Sequence, residues 1–497
     1  MSMTQSYLID EIREDLACPL YCGGVRLDAA GPEHSFCGVS TDSRSLVPGN
    51  LFIALRGERF DAHDFLDQVA GRAAAVIIDR TAALDKLPAD LPALLVPDTM
   101  TALDRVASWY RRRLGALGAR VVAVSGSVGK TTTREMVIAA LGRRYRVHGT
   151  AQNFNNHIGL AQTLFAAPET AEVLVLELGI DQPGDMDVLG AVAAPDIAVL
   201  TSLGLSHVAH FDGREGIARE KLRLLAHVAP GGAWILNADE PLLLQAAREA
   251  GDISVTLVSD AAGVPAGLPP AAALLRAFDI ELQTAGTRFA VALENVEPAR
   301  TCALPAVALQ VAGRHQVRNA LFGLAAARLL GVTPEDAVPG LGDFVVTGDR
   351  LRLVEIPPVT VINDAYNASL ESIRAALDFI DTVAAGRRRV VAIGGIAELG
   401  AHSDRVHEQV GRAIARTAPD WVLLSGPDAA AMERGLRAVP GGEALRCRSF
   451  ASRAELETAL TAGVRPGDVI LLKASRTYAF DRLLEPLRRR TEELSHV

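Results

Sequence analysis

The sequence predicts an α/β protein of three domains. Its 497 residues are enough chain for about three domains. Short, fully apolar runs such as Val173–Leu176 and Ile197–Thr201 recur between helical patterns, as in buried parallel strands. One such run, Val121–Val124, breaks straight into a glycine loop that opens a helix.

Residues 1–114 read as a small α/β module. Leu51–Leu55 and Ala74–Ile78 are its strands, followed by a helix over Thr101–Leu114. Arg111, Arg112 and Arg113 suit the C-terminal end of that helix. Residues 115–344 alternate strands and helices around a mostly parallel sheet. Phe278–Leu293 alternates about a glycine turn and reads as a β-hairpin added to that core. Residues 345–497 predict a doubly wound, Rossmann-like unit. Its strands are Val359–Ile362, Val390–Ile393, Trp421–Leu424 and Val469–Leu472, interleaved with helices such as Ser369–Ile380 and Ser403–Arg416.

The net charge of −9 argues against a general nucleic-acid or membrane-surface binder. No apolar run approaches a membrane span, and the N-terminus lacks the pattern of a signal peptide. Five cysteines without metal-ligand spacing fit a reduced compartment, so a cytoplasmic enzyme is expected.

The glycine loop is the strongest chemical signal. Gly126-Ser127-Val128-Gly129-Lys130-Thr131-Thr132 is a shortened phosphate loop between strand and helix. Its glycines let backbone N–H groups close on phosphates, Lys130 reaches the terminal phosphates, and the Thr131 hydroxyl suits Mg²⁺. Glu177 ends the next apolar run, where a carboxylate can ligate Mg²⁺. His207 follows a further strand and reads as a metal ligand, a general base or neither. Lys221 lies on a helix over Glu215–Val228, and position alone makes it a solvated lysine. Asn153–Gly159 is an amide-rich loop that caps a helix or contacts a base or sugar. Ser40, Thr41, Ser43 and Arg44 form a turn or an anion site. Gly313–Asn319, Asp364–Ser369 and Lys473–Arg476 sit at helix N-termini or strand ends, where α/β sheets present ligands.

In this order the segments GSVGKTTT, NFNNHIG, LELG, TSLGLSHVAHF, NADEP, GRHQVRNAL, DAYNAS, AELG with a following His, and KASR resemble the Mur ligase family. The resemblance covers nearly the whole chain. STDSR, FIALRGERFDAHDF and AELGAHSDRVHEQVG are nearest the branch that joins D-alanyl-D-alanine to a UDP-sugar-peptide. It implies an ATP-dependent amide ligase with Mg²⁺. ATP would occupy Gly126–Thr132, with Asn156 and Asn319 near the adenine and Asp364 and Tyr366 approaching from the third domain. Thr131 and Glu177 would hold one Mg²⁺. His207 and a carbamoylated Lys221 would hold a second. Ser40, Thr41, Ser43 and Arg44 would meet the uridine or its phosphates. Lys473, Ser475 and Arg476 would act on the incoming amino-acid substrate or the phosphate. The expected partners are small molecules, with no nucleic acid and no membrane insertion, and a monomer is expected. Ala474, Leu370, Gln316 and the stretch Gly394-Gly395-Ile396 depart from the family pattern. Another ligase of the family, with a different amine or acceptor, and a phosphate-loop ATPase or binding module without ligase activity stay open as alternatives.

Overall fold

The computed structural model describes residues 6–31, 34–57, 60–204, 208–284, 286–295, 300–345 and 350–495. The N-terminal part builds a six-stranded sheet in the order Val25–Leu27, Leu20–Cys22, Ala93–Leu95, Ala75–Ile78, Leu51–Ile53, Val39–Ser40. Its last four strands are parallel. The 18-residue helix Thr99–Ala116 follows, capped by Asp98, whose carboxylate accepts the Thr101 N–H at 2.7 Å.

The arginine-rich end of this helix does a different job from the one its sequence suggests. Arg111 is buried and donates at 2.9 Å to each of Ala193 O and Ala194 O, carbonyls at the end of the separate helix Asp185–Ala193. Those carbonyls lack intrahelical donors, and a buried guanidinium must be satisfied, so each answers the other. Arg113 pairs with Glu169 at 3.0 Å, and the Tyr110 hydroxyl donates to Ala167 O at 2.9 Å. The helix therefore fastens the first sheet to the second.

That second sheet has nine strands, in the order Val147–Gly149, Val173–Glu177, Arg120–Ser125, Ile197–Leu200, Ala233–Asn237, Ser254–Ser259, Ala273–Gln283, Gly286–Asn295, Arg300–Leu309. The first seven run parallel. Alternate side chains feed opposite faces. Val121, Ala123, Leu174 and Leu176 join the core shared with Thr99–Ala116. Val122, Val124, Val173 and Val175 pack with residues of the helices Lys130–Leu141 and Arg314–Leu329.

The expected hairpin is one part of a three-stranded antiparallel extension. Pro305 interrupts the pattern of the third strand and hides it from a periodicity reading. The sheet tolerates Pro305 because Arg300–Leu309 is an edge strand and its register slips between Phe289 and Val291. The helix with Lys221 is also shorter than expected, running over Gly213–Leu222 before a 3₁₀ turn at Arg223–His227.

The C-terminal sheet has six strands: Arg352–Ile356, Val359–Asp364, Val469–Lys473, Arg389–Ile393, Trp421–Ser425, Cys447–Phe450. All pairs are parallel except the first. Apolar clusters cover both faces, the doubly wound arrangement. Asp364 and Lys473 are register partners at the carboxyl ends of adjacent strands. The carboxyl ends of the second and third sheets contribute residues to one cavity. Among the described residues no helix is long and apolar enough to cross a membrane.

Candidate active site

The cavity is about 1040 Å³ and is lined from both sheets. Its floor is the glycine loop. Gly126 has φ +145 and Gly129 has φ +87, conformations that side chains resist. A Cβ on Gly126 would collide with the Thr201 hydroxyl, and one on Gly129 would sit 3.0 Å from Asn319 Oδ1. The segment Thr201–Gly204 straps the loop from outside. Thr201 Oγ1 donates to Val128 O at 2.6 Å, and Ser202 Oγ accepts the Val128 N–H at 3.0 Å. Gly204 N–H donates to Ser127 Oγ at 2.7 Å. Lys130, Thr131 and Thr132 then open the helix Lys130–Leu141, whose first N–H groups have no intrahelical acceptor. A preshaped loop on a helix N-terminus is a seat for phosphate. The Lys130 amine donates to Gly126 O at 2.9 Å, folded over that seat. Desolvation lowers its pKa below the usual lysine range, while the nearby Glu177 carboxylate opposes that shift.

Gly126→Ala is therefore expected to cut nucleotide affinity at least tenfold through displacement of the Thr201–Gly204 strap. Equilibrium binding of a fluorescent ATP analogue reads this directly. Unchanged affinity would remove the loop from the nucleotide site.

Glu177, the last residue of its strand, is nearly fully buried. Its carboxylate accepts from Arg134 Nη1 at 3.0 Å and Asn155 Nδ2 at 2.9 Å. Arg134, itself 2% exposed, also donates to Gln152 O at 2.9 Å. Lys221 is buried too, within electrostatic reach of Lys130 and Glu177, and is not part of the cavity lining. Burial, and then the charge of Lys130, lower its pKa well below the ordinary lysine range, against the pull of Asp181, Glu220 and Glu177. That environment favours the uncharged amine over the ammonium.

The third sheet supplies the facing wall. The Lys473 amine meets Asp364 at 2.7 Å and donates to Asn367 O at 2.6 Å. Burial draws both partners toward neutrality, and their mutual attraction opposes it. The Tyr366 ring lies under Arg350 at 4.6 Å and Arg476 at 5.7 Å. Asn319 Oδ1 accepts from Thr133 Oγ1 at 3.1 Å, which places it at the phosphate loop. His315, on the same helix, is pushed down to about 4 by burial, with Lys473 and Arg318 adding to the effect.

Two family models match this chain: the Mur ligase middle domain over residues 124–327, and the Mur ligase glutamate ligase domain over residues 349–476. A UDP-N-acetylmuramoyl-tripeptide–D-alanyl-D-alanine ligase of Bacillus subtilis is 37% identical across 90% of this chain and 93% of its own. The enzyme of that name from Escherichia coli is 32% identical across 92% and 95%. The chain belongs to the Mur ligase family. A MurF structure from Acinetobacter baumannii superimposes with a TM-score of 0.83 at 26% identity, covering 98% of this chain and 99% of that one. A MurF ligase of Thermotoga maritima, solved with ADP, gives 0.72 at 25% identity over 92% and 98%. This Mur ligase is an ATP-dependent ligase.

Within the Mur ligase, Ser127, Gly129, Lys130, Thr131, Thr132, Asn156, Glu177, Asn319, Asp364, Tyr366 and Lys473 line the one cavity. Asn156 also caps the helix His157–Ala166, accepting the Gly159 N–H at 3.0 Å. Ser475 and Arg476 line a smaller adjoining cleft. Ser40, Thr41, Ser43 and Arg44 are not in the cavity lining. There Ser40 Oγ accepts the Asp42 N–H, Arg44 pairs with Asp42 at 2.7 Å, and Thr41 meets Gln162 at 3.4 Å. His207 lies outside the described residues.

Arg134 and Arg350 escape a motif reading. Arg134 had a signal, since it lies four residues after Lys130 and so close to the same helix face. Arg350 had none, because it precedes its strand in a segment without periodicity.

Proposed function

We propose that this enzyme joins D-alanyl-D-alanine to UDP-N-acetylmuramoyl-tripeptide through an acyl phosphate, in peptidoglycan precursor synthesis. The observation that carries the reading is a phosphate seat and a buried Lys473–Asp364 pair lining one cavity, in a chain that matches relatives of that name over nine-tenths of its length. A carboxylate is a poor electrophile, so amide formation at neutral pH needs activation. The acceptor carboxylate attacks the γ-phosphorus, the bond to the β-phosphate oxygen breaks, and ADP leaves. The dipeptide amine then attacks the acyl carbon, a tetrahedral intermediate collapses, and phosphate leaves with the C–O electrons. The amine's surplus proton is lost along this path.

Positioning and electrostatics are the main protein contributions. Gly126, Ser127, Gly129, Lys130, Thr131 and Thr132 hold the phosphates, with Asn156, Asn319 and Asp364 around the nucleotide. Lys130 balances charge on the transferring phosphoryl group. Tyr366, Lys473, Ser475 and Arg476 receive the amine substrate. Ser40, Thr41, Ser43 and Arg44 receive the UDP portion. The hydroxyl of Thr131 and the carboxylate of Glu177 suit Mg²⁺, a hard ion held by one or two carboxylates together with substrate phosphates. Among the described residues no group of three or more His, Cys, Asp or Glu side chains is arranged to hold a metal ion. The donor set is thus one that substrate phosphates complete, with His207 and carbamoylated Lys221 as further ligands. When bound, Mg²⁺ supplies charge neutralisation at the phosphates. The enzyme works as a cytoplasmic monomer in this reading.

The test is phosphate release. It is expected only when ATP, the UDP-linked tripeptide and D-alanyl-D-alanine are all present. Release with ATP alone would favour an ATPase, and release with another amine in place of the dipeptide would favour a different ligase of the family.

A further inference from the structure

The sequence singled out a histidine after the AELG segment without giving it work. Two histidines follow that segment, His402 and His407, and the second is fully buried on the helix Ser403–Thr417. Its Nε2 accepts the Ile396 N–H at 2.9 Å. Nδ1 therefore carries the proton and donates to Ser403 O at 2.9 Å. The Ser403 hydroxyl donates in turn to Asp428 at 2.7 Å. Burial pushes the ring below the usual histidine range, against the nearby Asp428 charge, which favours the neutral acceptor form.

Ile396 begins a loop that is held at several points, of which the His407 ring is the contact at its first residue. Glu398 holds φ +62, a conformation a non-glycine residue adopts only when its surroundings enforce it. The Glu398 carbonyl accepts the Ala209 N–H at 3.2 Å, so the loop also touches the second sheet's unit, two residues beyond His207. Ala397 N–H donates to Ser475 Oγ at 3.0 Å. Ile396–Leu399 line a cleft of about 170 Å³ together with Asn367–Leu370 and Arg476. Asn367–Leu370 line the large cavity as well, so cleft and cavity share a wall. The Arg476 guanidinium can take a carboxylate, and the small apolar chains of Ala368 and Ala397 suit methyl groups.

We propose that His407 is a positioning residue for the incoming dipeptide, pinning Ile396 so that the Ile396–Leu399 wall of this cleft keeps its shape. This rests on the reading of the cleft as the amine subsite. His407 touches no reacting atom and acts only through the loop.

His407→Phe keeps a ring in the core and removes the acceptor. His407→Gln keeps an acceptor at the same reach. For the Phe variant, the KM for D-alanyl-D-alanine is expected to rise about tenfold, as for one lost buried hydrogen bond, with kcat and the KM for ATP within about twofold. The Gln variant is expected to recover most of that loss. Hydrogen exchange of the 394–400 peptide gives a readout independent of activity. It should quicken in the Phe variant and stay slow in the Gln variant. Equal behaviour of the two variants in exchange would overturn the proposal, as would a uniform rise in the KM of every substrate. If the wild-type enzyme ignores the dipeptide, the amine-subsite reading falls and the dipeptide role of His407 falls with it, while exchange still decides whether His407 pins the loop.

Discussion

Lys130→Ala lowers turnover by about a thousandfold or more, roughly 4 kcal/mol of transition-state stabilisation, and leaves the melting temperature unchanged or higher. The amine already lies over the phosphate seat, donating to Gly126 O at 2.9 Å. It is the one side chain of the loop that brings a full positive charge to the terminal phosphates. Its pKa is lowered by desolvation. A lysine with a depressed folded-state pKa is destabilising at neutral pH, because it is charged at no cost only in the unfolded chain. Removing it costs the fold nothing on that account. The measurement is steady-state turnover beside a thermal melt. Near-normal turnover would contradict the phosphate role, and a collapsed melt would mean the lysine is structural.

Lys221→Ala loses activity by about two orders of magnitude or more, and bicarbonate does not restore it. Lys221 sits buried among Lys130, Asp181, Glu220 and Glu177, with its pKa lowered well below the ordinary lysine range. Only the free amine adds CO₂. Nitrogen bonds to carbon, one proton leaves, and a neutral side chain becomes a carbamate anion. The depressed pKa therefore favours the reaction at neutral pH. The sign with pH follows: CO₂-dependent activity is present above the folded-state pKa of Lys221 and falls as pH drops through it. Wild-type enzyme stripped of CO₂ is expected to lose activity and regain it with bicarbonate. An active Lys221→Ala variant, or a wild-type enzyme indifferent to CO₂, would remove the carbamate from the account.

The residues that the sequence located best are those whose place is set by local chain geometry. Gly126, Gly129 and Lys130 lie in one loop between a strand and a helix, and that order alone places them at a helix N-terminus. Glu177, Asp364 and Lys473 end apolar strands, so their position at the sheets' carboxyl ends could be read from the apolar runs before them. What the sequence hid depends on pairing across long separations. Arg134 meets Glu177 43 positions away, and Lys473 reaches the Asn367 carbonyl 106 positions away. The docking of Arg111 onto another helix's end was hidden in the same way, because its own helix end offered a simpler local explanation. Lys221 reads as a solvated lysine by position alone, whereas the structure buries it.

The central claim is that this chain makes a specific amide bond, and the mass of the product tests it most directly. ATP, UDP-N-acetylmuramoyl-tripeptide and D-alanyl-D-alanine are incubated with the enzyme and the nucleotide-linked product is weighed by mass spectrometry. The account predicts one new species equal to the acceptor plus the dipeptide less one water, formed in step with ADP. ADP without that species, or an acceptor mass unchanged while ATP is consumed, would contradict it.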